Sequence, residues 1–244
     1  MQPTSERCPY CGKPYDPIEV PSLGGEGTVI LGHKICHCAD AEKERIKRLQ
    51  EENERVERER KKKRIKAYKK AGIKPRFIEA KSDMAKDVFG LVKQGIGAYI
   101  VGNVGTGKTY LASAVARLAI DDGMSTRVTD TLGILASLKA TFGTDESEDD
   151  VLSRLSRCKL LVIDDLGKET PTDWVLSQVF RIVNDRYEQM RPVIVTTQFS
   201  RPELIERLAK NGDEETAVAI VSRLFEMCEL ISLTGQDRRI SNVH

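Results

Sequence analysis

The chain of 244 residues is long enough for one domain of roughly 150–200 residues and a smaller additional segment. Its hydrophobic share of 40% and charged share of 31% are typical of a folded globular protein and exclude a predominantly disordered one. No apolar run approaches the ~18–20 residues that span a bilayer, and residues 1–7 lack the apolar core of a signal peptide. We therefore expect a cytoplasmic protein with no membrane partner.

The N-terminal segment is distinguished by its cysteines, since four of the six cysteines of the chain lie within the first 38 residues. One pair is separated by two residues, the spacing of a zinc knuckle, and the second pair by one residue. In a reducing cytosol such clustering favours a metal over disulfides. Because residues 1–40 contain few large apolar side chains, we predict a module that Zn²⁺ stabilises, with the ligands Cys8, Cys11, Cys36 and Cys38. His33 or His37 is an alternative to one thiolate, and four unliganded thiols are the alternative to a metal site.

Residues 41–70 contain no glycine or proline and consist mainly of Glu, Lys and Arg, with few apolar residues. This composition predicts a solvated helix with ion pairs between residues three or four apart, which Gly72 and Pro75 end. We interpret residues 41–75 as a charged helical linker. Two interpretations of its basic run Lys61–Arg64 stay open: a contact for nucleic acid or an acidic partner, and an ordinary solvated helix surface.

From residue 76 to residue 244, strand and helix patterns alternate, which favours an α/β domain with a parallel sheet between two layers of helices. The predicted strands are short and mostly apolar, and cover Ala98–Val101, Arg127–Val128, Leu160–Ile163, Val193–Thr197 and Leu230–Leu233. The predicted helices are Lys108–Ile120, a segment through Leu132, Leu135 and Leu138, Trp174–Tyr187, and a helix that begins with a capping box of Ser200 and Glu203. Cys158 and Cys228 lie among strand and helix residues and are predicted to be packing residues.

A glycine-rich segment, Gly102–Thr109, fits the pattern G-x-x-x-x-G-K-[ST] between a predicted strand and a predicted helix. Glycines allow backbone N–H groups to turn towards phosphates, and the helix N-terminus adds the positive end of its dipole. Lys108 can then reach the β- and γ-phosphates of ATP, and the Thr109 hydroxyl can bind Mg²⁺. The predicted nucleotide-binding residues are Gly102, Asn103, Val104, Gly105, Thr106, Gly107, Lys108, Thr109 and Tyr110. A glycine-rich turn that merely matches the pattern is the alternative.

Two aspartates, Asp164 and Asp165, follow the predicted strand Leu160–Ile163. Open α/β sheets bind ligands at the carboxyl ends of their strands, so we expect these carboxylates beside the phosphate loop. We predict that Asp164 holds Mg²⁺ through water and that Asp165 polarises the attacking water. Two acidic residues that simply end a strand are the alternative.

Five segments together carry a resemblance to a known family: Ala71–Phe77, Gly102–Thr109, Leu161–Gly167, Val195–Ser200 and Ser222–Leu224. From about residue 65 to residue 239, the sequence resembles the bacterial replicative helicase loaders of the DnaC/DnaI type. They are a branch of the AAA+ ATPases, and the transposition helper IstB is a close relative. The resemblance implies an AAA+ P-loop NTPase domain with a three-layer parallel sheet over residues 76–244. Since only 11 residues follow Leu233, we expect no C-terminal lid, whose nucleotide-sensing arginine only Arg238 or Arg239 approximates.

The resemblance also implies roles for two further residues. Gln198 falls at the sensor-1 position, at the tip of the strand between the phosphate-loop strand and the acidic strand. Arg223 falls at the arginine finger, which completes the site of a neighbouring subunit; an ordinary helix-surface arginine is the alternative. Asp165 is shorter than the glutamate of many AAA+ proteins, and Gln198 is longer than the usual asparagine. We therefore expect a weak ATPase, with the catalytic residues Lys108, Asp164, Asp165, Gln198 and Arg223.

Together these patterns predict an ATP-dependent helicase loader that uses ATP, Mg²⁺ and Zn²⁺. Such a loader self-associates through its ATPase domain, binds single-stranded DNA, and delivers a replicative hexameric helicase that its N-terminal module holds. Phe142, which precedes an acidic loop, is expected in the core, with stacking on a DNA base as the alternative. Two other functions stay open: a transposition helper ATPase of the IstB type, and a non-catalytic adaptor that ATP merely stabilises.

Overall fold

The computed structural model describes residues 7–22, 27–168, 172–210 and 213–235. Arg238 and Arg239, the two candidates for a nucleotide-sensing arginine, lie outside these residues. The chain divides into two compact units, one ending at Lys63 and the other beginning at Arg64. This division falls inside the predicted helical linker, residues 41–75.

The first unit contains an antiparallel hairpin that the sequence did not predict. Strand β1 (Pro17–Pro21) pairs with β2 (Thr28–His33), with a register shift between Ile18 and Glu19. Both strands are largely exposed, so neither shows the alternation of apolar and polar residues that marks a half-buried strand. Proline at both ends of β1 further obscures the pattern.

A long helix, α1 (Ala39–Ala71), begins in the first unit and confirms the helix predicted for residues 41–70. Acidic residues occupy its first turn and basic residues its last turn, as the helix dipole favours. The predicted ion pairs are present along it, for example Arg48 with Glu44 and Arg55 with Glu52. The helix therefore forms from local propensity and charge pairing, with little burial along most of its length.

The second unit is built on a five-stranded parallel sheet, as predicted. Its strands are β3 (Gly97–Gly102), β4 (Thr126–Asp130), β5 (Leu160–Asp164), β6 (Val193–Thr197) and β7 (Cys228–Leu233). They lie in the order β4-β5-β6-β3-β7, and every pairing is parallel. All residues of β5 and β6 are buried, which explains why each strand begins with an uninterrupted apolar run, before Asp164 in β5 and before Thr196 in β6.

Seven helices among the described residues of the second unit connect and cover these strands. They are α2 (Met84–Lys93), α3 (Lys108–Asp121), α4 (Thr131–Lys139), α5 (Glu148–Arg157), α6 (Asp173–Glu188), α7 (Arg201–Ala209) and α8 (Glu214–Met227). A 3₁₀ turn, Pro75–Phe77, precedes α2. The predicted capping box of Ser200 and Glu203 opens α7. In the part of the chain that the structure describes, no helix is both long and apolar enough to cross a membrane.

Alternate residues of each central strand point to opposite faces of the sheet and enter two separate hydrophobic cores. On β3, for example, Tyr99 joins the core beneath α6 and α8, whereas Ala98 and Ile100 join the core beneath α2 and α3. Helices therefore cover both faces, which confirms the predicted three-layer α/β architecture. Cys158 and Cys228 pack against the first of these cores, as predicted.

The region between α4 and β5 differs from its prediction. Phe142 was expected in the core, but its side chain is 66% exposed. The acidic residues around Asp149 form the first turn of α5, which opens with a capping box of Ser147 and Asp150. Negative charge at a helix N-terminus is favourable, so part of what the sequence presents as an acidic loop is the start of a helix.

Candidate functional site

The glycine-rich loop turns sharply between the end of β3 and the start of α3. Gly105 and Gly107 have φ angles of 81° and 96°, in the left-handed region that a residue with a Cβ atom rarely adopts. No side chain caps α3 at Gly107, so the N-terminal amides of this helix are directed at the adjoining cavity without a competing side-chain acceptor. A helix start of this kind is suited to bind an anion.

Lys108 is folded back onto the loop that precedes it. Its Nζ donates to the carbonyl oxygens of Gly102 and Asn103, both at 2.8 Å, and the residue is only 7% exposed. Thr106 is buried and donates to Asn103 O at 2.9 Å, so its hydroxyl braces the loop internally. The loop thus holds one ammonium group, that of Lys108, at the start of α3.

Thr109 and Asp164 meet at the carboxyl edge of the sheet. The Thr109 hydroxyl donates to the Asp164 carboxylate, with distances of 2.9 and 3.1 Å to its two oxygens. Thr196, from β6, donates to the same carboxylate at 2.6 Å. Burial raises the pKa of Asp164 above its ordinary value, although the hydrogen bonds from Thr196 and Thr109 oppose that shift. A buried carboxylate beside a hydroxyl is an oxygen donor set that fits Mg²⁺.

Asp165 and Gln198 lie on the same side of the sheet. Asp165 has a positive φ of 56°; its backbone N–H donates to Thr196 Oγ1 at 2.9 Å, and its carboxylate pairs with Lys168 Nζ at 2.5 Å. Gln198 directly follows β6, the strand between β5 and β3. The position that the resemblance implied for Gln198, between the acidic strand and the phosphate-loop strand, therefore matches the sheet order.

A cavity of about 480 Å³ lies beside the start of α3, and its volume is within the ~300–1,000 Å³ of typical ligand sites. Of the predicted site residues, it brings together Val104, Gly105, Gly107, Lys108, Thr109, Tyr110, Asp165 and Gln198. Four further lining residues were not predicted as ligands: Arg76, Phe77, Lys81 and Lys168. Arg76 and Phe77 belong to a segment that carries the family resemblance, so a signal for them was present. For Lys81 and Lys168 we find no such signal in the sequence.

Arg223 lies apart from this cavity. On α8, its Nε donates to Asn184 Oδ1 at 2.9 Å and its Nη1 to Ala219 O at 3.1 Å. Its guanidinium also stacks over the rings of Phe180 and Tyr187, at 5.1 and 5.6 Å from their centres. Arg223 is not among the described residues that line the cavity.

The four N-terminal cysteines are gathered at one point of the first unit. Their sulfur atoms all lie within 4.8 Å of one another, with Cys8–Cys38 at 3.9 Å and Cys11–Cys36 at 3.6 Å. A tetrahedral site with zinc–sulfur bonds of about 2.3 Å separates its sulfurs by about 3.8 Å. His37 instead has its Nδ1 3.7 Å from Glu42. The geometry thus suits a metal bound by four thiolates, without a histidine ligand.

Comparison with known proteins agrees with this architecture. A family model described as IstB-like ATP binding protein matches residues 39–243. The replicative helicase loader DnaI of Bacillus subtilis (strain 168) is 26% identical over 151 residues, which cover 60% of this chain and 48% of DnaI. The replicative helicase loader DnaC of Escherichia coli (strain K12) is 31% identical over 110 residues, 45% of each chain. A crystal structure of the DnaC helicase loader matches with a TM-score of 0.50 and 26% identity, over 66% of this chain and 100% of that one.

The chain therefore spans about half of the length of these two curated relatives. Their names and the shared fold confirm the resemblance to AAA+ proteins of the DnaC/DnaI type. The family match includes the phosphate loop, both aspartates, Gln198 and Arg223, and it covers most of the chain. This chain belongs to the family of IstB-like ATP binding proteins.

Proposed function

We propose that this chain is an ATP-dependent loader that binds ATP with Mg²⁺ and single-stranded DNA and delivers a replicative hexameric helicase. The observation that carries the proposal is one cavity lined by Lys108, Thr109, Asp165 and Gln198, with Asp164 hydrogen-bonded to Thr109. The names of DnaI and DnaC, both replicative helicase loaders, support the helicase as the partner.

In this proposal the phosphates of ATP lie against the loop and the start of α3. Lys108 exchanges the carbonyls of Gly102 and Asn103 for phosphate oxygens, which are stronger acceptors because they are charged. Thr109 and Asp164 would hold Mg²⁺, which when bound neutralises charge on the phosphates. Phe77 and Tyr110 supply apolar surface in the same cavity, where the base can pack.

Hydrolysis is expected to be slow. Asp165 is the residue that would polarise the attacking water, but its carboxylate pairs with Lys168 at 2.5 Å, so a water molecule would have to compete with that ammonium for the carboxylate. Asp165 also has a shorter side chain than the glutamate of many AAA+ proteins. We therefore propose a weak ATPase in which bound ATP mainly sets the conformation and association of the protein.

Self-association would bring Arg223 to the site of a neighbouring subunit. Arg223 is half-buried on α8 and held by Asn184 and two aromatic rings, which restrict its side chain and so reduce the entropy lost on contact with a γ-phosphate. An arginine in this role stabilises negative charge that develops on the phosphate during transfer. Arg223→Ala should then slow ATP hydrolysis by the assembly while ATP binding by a single chain is retained.

The first unit is proposed to bind Zn²⁺ through Cys8, Cys11, Cys36 and Cys38 and to hold the helicase. Between Cys11 and Cys36 in the sequence, Ile30, Leu31 and Ile35 are 57%, 65% and 66% exposed, although large aliphatic side chains are more often buried in folded proteins. We propose that some of these exposed side chains contact the helicase. Phe142 in the second unit is proposed to stack on a base of single-stranded DNA.

The test begins with the nucleotide. A fluorescent ATP analogue should bind the wild-type chain in a magnesium-dependent manner, Lys108→Ala should abolish this binding, and the exposed Lys159→Ala should leave it unchanged. Phosphate release is then measured with and without single-stranded DNA, and co-purification is tested with a replicative hexameric helicase. A folded wild-type chain without magnesium-dependent affinity for adenine nucleotides would refute the proposal.

The description of the matching family favours one second candidate, a transposition helper of the IstB type. Such a protein would bind double-stranded DNA and a transposase. Retention by duplex DNA together with a transposase, and no retention of a helicase, would favour this candidate. Nucleotide binding without any DNA-stimulated phosphate release would instead indicate the non-catalytic adaptor.

A further inference from the structure

An ion pair lies immediately beside the proposed magnesium site. Lys74 Nζ donates to Asp130 Oδ2 at 2.9 Å. Asp130 is the last residue of β4 and is in register with Asp164, the last residue of β5. Neighbouring strands of a sheet are about 4.8 Å apart, so the two carboxylates extend from adjacent strand ends on the same edge of the sheet.

The position of Lys74 is fixed by the segment that precedes it. Gly72 has a φ of 101°, and a Cβ atom there would lie 2.0 Å from Val128 O, so only glycine allows this segment to approach β4 so closely. Arg127, also on β4, donates from Nη1 to Lys70 O at 2.8 Å. The segment is therefore fixed against β4, and Lys74 is brought to the carboxyl end of that strand.

The ion pair and the proposed magnesium ligands share a second cavity, of about 200 Å³. Lys74, Asp130, Thr109 and Asp164 all line it. The pKa of Lys74 is raised, first by its hydrogen bond to Asp130 and to a smaller extent by the charges of Asp164 and Asp165. The ammonium of Lys74 is thus close enough to interact with the Asp164 carboxylate as well as with Asp130.

We propose that Asp130 and Lys74 are positioning residues that set the affinity of the nucleotide site for Mg²⁺. Asp130 holds the Lys74 ammonium away from Asp164, and Lys74 neutralises the Asp130 carboxylate. Among the described residues at this edge of the sheet, the metal then meets one carboxylate without a paired cation, that of Asp164. This inference rests on the proposed function, since it assigns regulation to the same nucleotide site.

The two members of the pair have opposite expected effects. Without the Lys74 charge, Asp130 adds a second negative charge beside Asp164, which attracts a divalent cation. Without the Asp130 charge, Lys74 is released to pair with Asp164, and its ammonium repels the cation. A unit charge about 7 Å from a partly solvated metal changes its affinity by roughly tenfold. A pair that merely stabilised the fold would weaken the site in the same direction whichever member was replaced.

The experiment measures binding of a non-hydrolysable fluorescent ATP analogue by the full chain at increasing Mg²⁺. Because Mg²⁺ binding to the free analogue is common to all variants, differences in the half-saturating Mg²⁺ concentration report on the protein. We expect roughly a tenfold lower value for Lys74→Met, a tenfold higher value for Asp130→Asn, and a value within about threefold of wild type for the double variant. Arg154→Met, which breaks the exposed pair with Glu146, is the matched control and should have no effect.

Asparagine is chosen at position 130 because Asp130 also caps α4, accepting from Gly133 N at 2.7 Å, and an asparagine oxygen can keep that bond. If Asp130→Asn does not fold, Asp130→Ser removes the charge and retains a capping oxygen. Shifts in the same direction for both single variants, or shifts below about twofold, would overturn the inference while leaving the nucleotide site intact. A wild-type chain that binds no nucleotide with Mg²⁺ would overturn both the inference and the proposed function.

Discussion

Arg186 on α6 is a completely buried cation without a carboxylate partner among the described residues, and its replacement gives a sharp test of how the domain is held together. Its relative exposure is 0%. Its guanidinium donates to five backbone carbonyl oxygens at 2.6–3.3 Å: those of Leu155, Ser156, Cys158, Lys159 and Pro192. These carbonyls belong to the last turn of α5, to the connection between α5 and β5, and to the residue that precedes β6. Arg186 therefore fixes the two segments that lead into the central strands.

The expected effect of Arg186→Met follows from these contacts. Leu155 O and Ser156 O keep a second side-chain donor, Cys158 Sγ and Arg191 respectively. The other three carbonyls, those of Cys158, Lys159 and Pro192, lose the guanidinium as their side-chain donor. Each buried acceptor without a donor costs about 1–3 kcal/mol, or roughly 6 kcal/mol together. Replacing the buried charge removes its desolvation penalty, which is several kcal/mol. The same burial lowers the pKa of Arg186. The free energy of unfolding should fall by about 3 kcal/mol, which lowers the Tm by roughly 6–12 °C in a domain of this size.

Urea denaturation followed by circular dichroism measures this change directly. Arg181→Met is the matched control, because Arg181 lies on the same helix, its side chain is 50% exposed, and it pairs with Asp149 at the surface. Surface pairs of this kind contribute less than about 1 kcal/mol. If Arg186→Met lowered the free energy of unfolding by no more than the control does, the carbonyls would not depend on the guanidinium and the reasoning would be wrong.

Three further predictions concern other parts of the molecule. Gly72→Ala should lower the free energy of unfolding, measured by urea denaturation, by more than about 3 kcal/mol, because a Cβ there meets Val128 O at 2.0 Å. Gly123 has a similar φ but open space around it, so Gly123→Ala should cost only about 1–2 kcal/mol. Equal costs would contradict the packing argument. Cys11→Ser should abolish zinc binding measured by elemental analysis of the purified chain, and Cys158→Ser should retain it; zinc at full stoichiometry in the Cys11 variant would exclude the four-cysteine site. Phe142→Ala should weaken affinity for single-stranded DNA by about five- to a hundredfold without loss of stability, and the equally exposed Leu132→Ala should not; an unchanged affinity would remove Phe142 from the DNA contact.

The parallel sheet could be predicted closely because its strands are buried on both faces. Val193–Thr197 was predicted at its observed bounds, and Leu160–Ile163 ends one residue before the observed strand. A strand that is buried on both faces is mostly apolar, as in Leu160–Ile163 and in the first three residues of Val193–Thr197, and such a run is visible in the sequence. The phosphate loop could also be predicted from the sequence. Two of its glycines, Gly105 and Gly107, adopt positive φ angles, and the spacing of its glycines before Lys108 is typical of phosphate-binding loops.

Other features depend on tertiary contacts that no local pattern records. The hairpin of β1 and β2 has no buried face to impose a period of two, so the sequence of Pro17–Pro21 gave no strand signal. Phe142 was expected inside because aromatic residues are usually buried, yet it lies on a connection that passes over the surface. The pair of Lys74 and Asp130 joins residues 56 positions apart, and only the approach of the Gly72 segment to β4 brings them together.

The four cysteines precede residue 39, where the family match begins, whereas the phosphate loop and both aspartates lie inside it. The candidate nucleotide site with Lys108 and Asp164 thus lies within the part of the chain that matches the family, and the cysteines lie outside it. The exposed apolar residues Ile30, Leu31 and Ile35 lie between Cys11 and Cys36 in the sequence, outside that match. If the first unit holds the partner as proposed, replacing these three residues by Ser should weaken partner binding in a pull-down assay and leave binding of the fluorescent ATP analogue unchanged.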